Sequence, residues 1–385
     1  MNLGLKLAYK NLIGAGLKTW LNSFALSFAF VLILFYNGMI DGWNNEARRD
    51  AIEWDYGYGH LRNENYDPLD FFSIQDGHGV LPAKYSENLT PVLVWQGNIY
   101  PQGRSMNILL KGIDPNQTII KIPTDLFKNT DAEYPAVIGA KMAENANLKV
   151  GDMVQLRWRD QNGTFDAVQI TIVGVFNTNV PFVDAGQLWM PYDLLNKMVG
   201  LENNATYYIA NDKYEPKDVE GWTFVSQETL LKPVTDLINA KKYGASVMYL
   251  LLLAIGLLVI FDTLALSIFR RQREIGTHIA LGLTQKQVIR MFTIEGIMYS
   301  IFGIVLGAVY GTPLFIYLAK KGLSFPVSGD SMGIILAPTI YSVYSVELII
   351  KTILLLIISA AIVSRLAARR IAKMNPVEAL KGKAL

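Results

Sequence analysis

Four stretches of the chain are apolar: 21–40, 247–269 and 292–318 have the roughly 20 residues that a bilayer core requires, and 348–363 is shorter. Lys6, Lys10 and Lys18 precede the first, and Asp41 and Glu46 follow it. No small-x-small cleavage site ends this run, so it is expected to be a membrane anchor and not a signal peptide. Basic flanks stay on the inner side, which places the N-terminus inside. The second run ends on Arg270, Arg271 and Arg273 and so returns inward. The third emerges near Lys320 and Lys321, whose long stems can reach the outer interface. The fourth needs Glu347 and Lys351 at that interface and finishes on Arg365, Arg369, Arg370 and Lys373. Both termini are thereby predicted inside. Residues 3–17 set Lys among Leu, Ile and Ala at helical spacing, which suits a helix lying along the inner interface.

Between the first two runs the pattern changes. Trp43, Ala47 and Ala51 recur every four residues, and Leu230, Leu231, Val234, Leu237 and Ile238 follow helical spacing. These flanks predict two stalk helices continuing the spans. The centre alternates with period two: Val154, Leu156 and Trp158 against Gln155, Arg157 and Arg159, then Val168, Ile170 and Ile172. Further strands are expected at 92–95, 108–113, 136–138 and 206–210, with a short helix over 141–147 closed by a turn at Gly151. The predicted fold class is a membrane α-helical protein with four transmembrane helices, plus an α+β extracytoplasmic domain between the first and second spans. The boundaries are 1–19 interfacial helix, 20–40 first span, 41–245 outer domain with stalks and 246–269 second span. Then follow 270–291 cytoplasmic coupling helix, 292–318 third span, 319–345 outer loop, 346–366 fourth span and 367–385 cytoplasmic tail.

Composition fits this division. Charged residues are 18% of the 385 and the net charge is +2, which points to neither nucleic acid nor an acidic partner. There are no cysteines, which excludes disulfides, zinc–thiolate sites and a lipidated N-terminal Cys. His60, His78, Asp67, Asp70 and Asp76 show no ligand spacing, so no metal site is expected. The nearest imitation of a phosphate-binding loop, residues 14–19, lacks the GxxxxGK spacing, and no catalytic constellation stands out. Gly303, Gly307 and Gly311 lie four apart on the third span, either as a face for close helix packing or as glycines simply frequent in spans. Pro313 should bend that helix beyond them. Asp262 and Glu295 are acids at or near membrane depth; Glu295 could be neutralised by Arg290 or Lys286. The aromatic-rich segment 54–72 either grips a partner or lipid chain or covers the base of its domain.

The segment Arg270-Arg271-Gln272-Arg273-Glu274-Ile275-Gly276, running on to Ala280-Leu281-Gly282 and Glu295-Gly296, resembles the coupling region of FtsX/MacB/LolC-type permeases of ATP-driven transporters. Further words fall in the order seen in MacB- and LolC/LolE-type outer domains. They are Lys111-Gly112-Ile113-Asp114-Pro115, Val137-Ile138-Gly139, Val150-Gly151-Asp152 and Ile172-Val173-Gly174-Val175-Phe176. The tail Asn375-Pro376-Val377-Glu378-Ala379-Leu380 is similar to that family's end.

The resemblance implies a non-catalytic permease subunit in the bacterial inner membrane, coupled to a separate dimeric ATP-binding subunit that holds ATP and Mg. The chain itself would bind no cofactor. Arg273, Glu274, Ile275, Gly276, Ala280, Leu281, Gly282, Thr284 and Gln287 would form the ATPase-coupling surface. A second copy or a paralogous permease would complete the assembly, with membrane lipid around it and no nucleic acid. In the Lol branch the cargo is a lipoprotein handed to a periplasmic carrier. Its acyl chains would meet Phe24, Phe28 and Phe35 of the first span and Tyr249 to Leu253 of the second. The alternatives are MacB-like efflux and FtsX-like regulation of cell-wall hydrolases.

Overall fold

In the computed structural model, residues 16–270, 277, 282, 284–324 and 339–372 are described. Helix α1 (Leu17–Ala51) runs into a π-helical turn, Ile52–Tyr56, and then strand β1 (Gly59–Asn63). Strands β2 (Leu89–Ile99), β3 (Met106–Ile113) and β4 (Pro135–Gly139) follow, then α2 (Ala140–Ala146), β5 (Met153–Arg159) and β6 (Phe165–Phe176). Next come α3 (Pro181–Ala185), β7 (Gln187–Pro191), α4 (Tyr192–Val199), β8 (Tyr207–Ala210) and β9 (Trp222–Ser226). Helices α5 (Gln227–Arg270) and α6 (Gln285–Lys321), a hairpin of β10 (Leu323–Ser324) with β11 (Thr339–Ile340), and α7 (Val346–Ala372) complete the order.

The chain divides into two compact units: the described residues of Met1–Asn44, Ile238–Pro326 and Pro338–Leu385, and those of Asn45–Leu237. In the second unit nine strands form one sheet, ordered β3-β7-β4-β6-β5-β2-β8-β1-β9, with β3 also paired to β2. That extra pairing closes six strands, β2-β3-β7-β4-β6-β5, into a ring, and β8, β1 and β9 extend from it. The length of β2 makes this possible. On one edge its Leu89–Val92 pair with β8 and Gly97–Ile99 with β5. On the other edge Val92–Ile99 pair with β3.

β5 buries every second residue, as its alternation requires. By contrast β4 is buried throughout and β7 nearly so, because helices α2, α3 and α4 pack beside them. The expected helix 141–147 is α2, capped by Asn147 in the left-handed region, and Gly151 takes φ +93° in the turn that follows. All six expected strands are present. β1, β7 and β9 are additions to this sheet, and the β10–β11 hairpin is a further one.

The first unit holds most of four helices long and apolar enough to cross a membrane: Trp20–Tyr56, Gln227–Ser267, Gln285–Lys321 and Val346–Arg369. They are not equivalent. The apolar window of α1 is 61% buried, against 18%, 22% and 17% for the other three, so α1 is the helix the others surround. Pro313 lies inside α6, which continues to Lys321.

Candidate functional site

The contact between α1 and α6 is built from small residues. A Cβ at Gly303 would meet Leu26 Cβ at 2.8 Å and the Ser23 carbonyl oxygen at 3.1 Å. At Gly307 it would meet Phe30 Cδ1 at 2.8 Å and the Ser27 carbonyl at 3.2 Å, and at Gly311 Val31 Cγ2 at 2.9 Å. This close backbone approach lets van der Waals contact hold the pair together. Ser27 Oγ lies 3.2 Å from the Tyr310 hydroxyl across the seam. Around it Leu26, Phe30 and Leu34 of α1 cluster with Leu253, Ile260 and Leu264 of α5 and with Leu356 and Ala360 of α7.

That cluster changes the expected cargo surface. Phe24 and Phe28 are exposed on α1, but Phe35 and Tyr249 are only half-exposed and Leu253 is buried in the cluster. Leu253 therefore does not share the open face of Phe24 and Phe28. Spacing along one helix put the phenylalanines on a stripe; it could not tell which way a residue of another helix turns.

Of the expected coupling residues, Arg273, Glu274, Ile275, Gly276, Ala280 and Leu281 lie outside the described residues, as do the segments 1–15, 325–338 and 373–385. Gly282, Thr284 and Gln287 are described. Gly282 takes φ +102°, a region that L side chains rarely adopt, with nothing within 4 Å of the place a Cβ would occupy. Thr284 and Gln287 form a capping box at the start of α6. The Gln287 N–H donates to Thr284 Oγ1 at 3.4 Å, and the Thr284 N–H donates to Gln287 Oε1 at 2.8 Å. The helix thus begins at Gln285, seven residues before the boundary of 292 drawn for the third span. Its first turn is exposed and polar, whereas Val288 and Phe292 are buried against Ala368 of α7. An exposed surface with a fixed backing results. Glu295 is buried further along α6, while Arg290 and Lys286 are both exposed. At Gly296 a Cβ would collide with the Ser364 side chain. Asp262 is exposed on α5.

Residues 246–376 match the family described as FtsX-like permease C-terminal, a stretch that takes in the second half of α5, the coupling segment, α6 and α7. Over that stretch the chain is similar to FtsX/MacB-type ABC transporter permeases. It is similar to an uncharacterized ABC transporter permease of Methanocaldococcus jannaschii, 23% identical, over 65% of this chain and 63% of that one. It is also similar to the macrolide export ATP-binding/permease protein MacB of a Shewanella species, 24% identical, over 84% of this chain and 50% of that one. The chain thus spans about half to two thirds of these relatives' lengths. The solved periplasmic region of MacB from Actinobacillus actinomycetemcomitans covers 48% of the chain at 11% identity, with a TM-score of 0.30 that is too low to bear on the fold.

Two features of this chain escaped the sequence reading. On α1, Gly38 and Gly42 seat the chain that enters α7: a Cβ at Gly38 would strike the Tyr344 ring, and one at Gly42 the Tyr341 carbonyl. Their spacing of four was a legible signal. The second is a buried polar knot in the sheet unit. Lys111 of β3 and Asp55 of the π-helical turn pair at 2.8 Å, with only 6% and 15% of their side chains exposed. The Lys111 ammonium also lies 4.7 Å from the Trp189 ring centre. His60 donates from Nε2 to the Asp55 carbonyl at 3.1 Å and stacks on Tyr207 at 4.4 Å, a structural setting and not a ligand's. Burial pulls its pKa down to about 4, against the smaller opposing pull of Asp55. Burial pushes the Tyr66 hydroxyl up to about 12.

Around this knot the end of α1 is held on the sheet. Lys121 Nζ pairs with Glu53 at 2.7 Å, Trp54 stacks on Phe176 at 5.4 Å, and Gln227, the first residue of α5, donates to the Gly57 carbonyl at 2.8 Å. Gly57 itself has φ +53°, and a Cβ there would lie 2.5 Å from Ile209 Cγ2. Trp54 and Tyr66 of the aromatic segment therefore pack inward, whereas Leu69, Phe71 and Phe72 do not.

Proposed function

We propose that this permease converts ATP binding and hydrolysis on a separate, dimeric cytoplasmic subunit into movement of its sheet unit on the far side of the membrane. The observation that carries this reading is the family match over 246–376, which includes the basic exit at Arg270 and the capped, exposed start of α6. The four apolar helices supply the spans, in a bacterial inner membrane with both termini inside. Helices α1 and α5 are continuous through residues of both units, so they serve as the stalks that carry movement outward. A second copy or a paralogous permease completes the assembly.

The cargo in this reading is an acylated protein drawn sideways from the membrane and passed to an outer carrier. The exposed apolar face of α1 at Phe24 and Phe28 supports it, because acyl chains need a lateral apolar surface and each buried methylene is worth about 0.8 kcal/mol. A second reading, export of a substrate already outside, is favoured by the relatives named as macrolide exporters. Regulation of a cell-wall hydrolase is the third.

Purified permease reconstituted with its ATP-binding partner tests the central step. Glu274→Lys and Gly282→Leu should each abolish the permease-dependent increase in ATP hydrolysis while insertion is unchanged; full stimulation in both variants contradicts the docking site. For cargo, a photo-crosslinking residue at Phe28 should capture a lipoprotein. Capture of phospholipid alone would favour the export reading.

A further inference from the structure

Leu69, Phe71 and Phe72 are 92%, 62% and 89% exposed, and the loop that carries them is fixed. Asp67 Oδ1 accepts from the Leu69 N–H at 2.9 Å, and Asp70 Oδ1 accepts from the Phe72 N–H at 2.9 Å. Ser73 Oγ donates to the Asp70 carbonyl at 2.6 Å and accepts from the Asp67 N–H at 2.9 Å. From below, Gln96 of β2 donates to the Phe71 carbonyl at 2.8 Å, and Ile74 is buried in the core of the sheet unit. Gly77 closes the loop so tightly that a Cβ there would lie 2.8 Å from Tyr66 Cα. A loose loop could fold its apolar residues inward. This one holds them out, at a cost in exposed apolar surface that a free monomer has no reason to bear.

The exposed charges along this segment are of one sign: Glu64, Asp67, Asp70 and Asp76, with no Lys or Arg from 63 to 83, while the flanking Arg62 lies over the Tyr66 ring. We propose that Leu69, Phe71 and Phe72 form a docking knuckle for a different protein, one that offers an apolar groove rimmed by Lys and Arg. The charge decides between occupants. An anionic lipid surface would be repelled by the four acids. A symmetric contact with a second copy would set the same four acids against themselves. A groove with basic edges takes the aromatic tip as its buried centre and pairs the rim, the usual anatomy of an energetic hot spot. This surface shares no residue with the ATP-coupling segment, so it stands or falls independently of the function proposed above.

The test uses the full chain in its native membrane with Phe72→p-benzoylphenylalanine, and the same probe at exposed Asn162 as control. The expected result is one dominant protein adduct whose crosslinked peptide, identified by mass spectrometry, is flanked by Lys or Arg. Capture should fall at least about tenfold when Leu69→Ser and Phe71→Ser are added, the scale of a hot-spot truncation. It should fall similarly with Asp76→Lys and return when a rim lysine of the captured protein is changed to Glu. The melting temperature of these variants should match the parent, since each side chain is exposed. An adduct to phospholipid only, an adduct to a second copy of the chain, or no capture above the Asn162 control would overturn the proposal. So would capture indifferent to Asp76→Lys, or a loss of stability in the serine variants.

Discussion

Lys111 shows how much one buried charge can decide. It sits on a strand of the closed ring and pairs with the Asp55 carboxylate at 2.8 Å. Removing one member of such a pair leaves the other charge buried and unpaired, which costs about 3–5 kcal/mol. Lys111→Met should therefore lower the stability of the sheet unit by that amount, read as a drop in the tryptophan-fluorescence melting transition of the detergent-solubilised chain. Asp55→Leu added to it should recover most of the loss. Equal melting for the single and double variants would show the pair to be dispensable. His60 gives a pH dependence of definite sign. Its folded pKa of about 4 lies below the ordinary 6.5, so between these values the unfolded chain binds a proton that the folded one excludes. Stability should fall as pH drops from about 6.5 to 4, by roughly 3 kcal/mol in all, and this contribution is absent above pH 7. His60→Phe should flatten that part of the profile relative to the parent. Neither residue announced this in sequence. Lys111 stood in a family word, and His60 in an aromatic segment with no ligand spacing; the knot exists only because β1, β3 and the turn after α1 meet in space.

At the scale of elements, the glycine stripe was legible and its counterpart was not. A spacing of four puts Gly303, Gly307 and Gly311 on one face of any helix. The face of α1 that receives them carries Ser23 and Ser27, also four apart, but spacing along one helix does not say which other helix it meets. Gly303→Leu should force α6 away from the Ser23 backbone and destabilise the bundle by about 1–3 kcal/mol, the usual cost of overpacking. Gly244→Ala, with open space around its Cβ position, is the neutral control. Thermal denaturation in detergent should separate the two, and equal melting would mean the seam is loose. Among strands, β5 declared itself by alternation, whereas β7 hid because its residues are apolar or buried regardless of parity. Its β1 neighbourhood hid for the opposite reason: Gly59-His60-Leu61-Arg62-Asn63 has a polar composition, yet four of the five residues are buried. Ring closure depends on β2 changing partners along its length, information that no local pattern holds.

For the whole molecule, the proposal is a sided membrane protein that moves. The charge clusters at the ends of the apolar runs carry the predicted sidedness, and the family wording carries the proposed energy source. The cargo stayed hidden because helix faces of bulk apolar residues look alike whether they meet lipid or acyl chain. With no native cysteine to remove, sidedness can be tested directly. In intact spheroplasts, Asn162→Cys and Glu202→Cys should react with an impermeant maleimide, and Lys286→Cys should react only after the membrane is opened. The reverse pattern would invert the topology.

Movement is tested most directly by spin labels placed at Glu202, in the sheet unit, and at Lys320, at the far end of α6. The permease would be reconstituted with its ATP-binding partner, and pulsed dipolar spectroscopy would compare the nucleotide-free state with one trapped by ATP and vanadate. The expected result is a distance distribution displaced on trapping, with the displacement lost in Glu274→Lys. Identical distributions in the two nucleotide states, from a complex that still hydrolyses ATP, would contradict the claim that ATP moves the sheet unit.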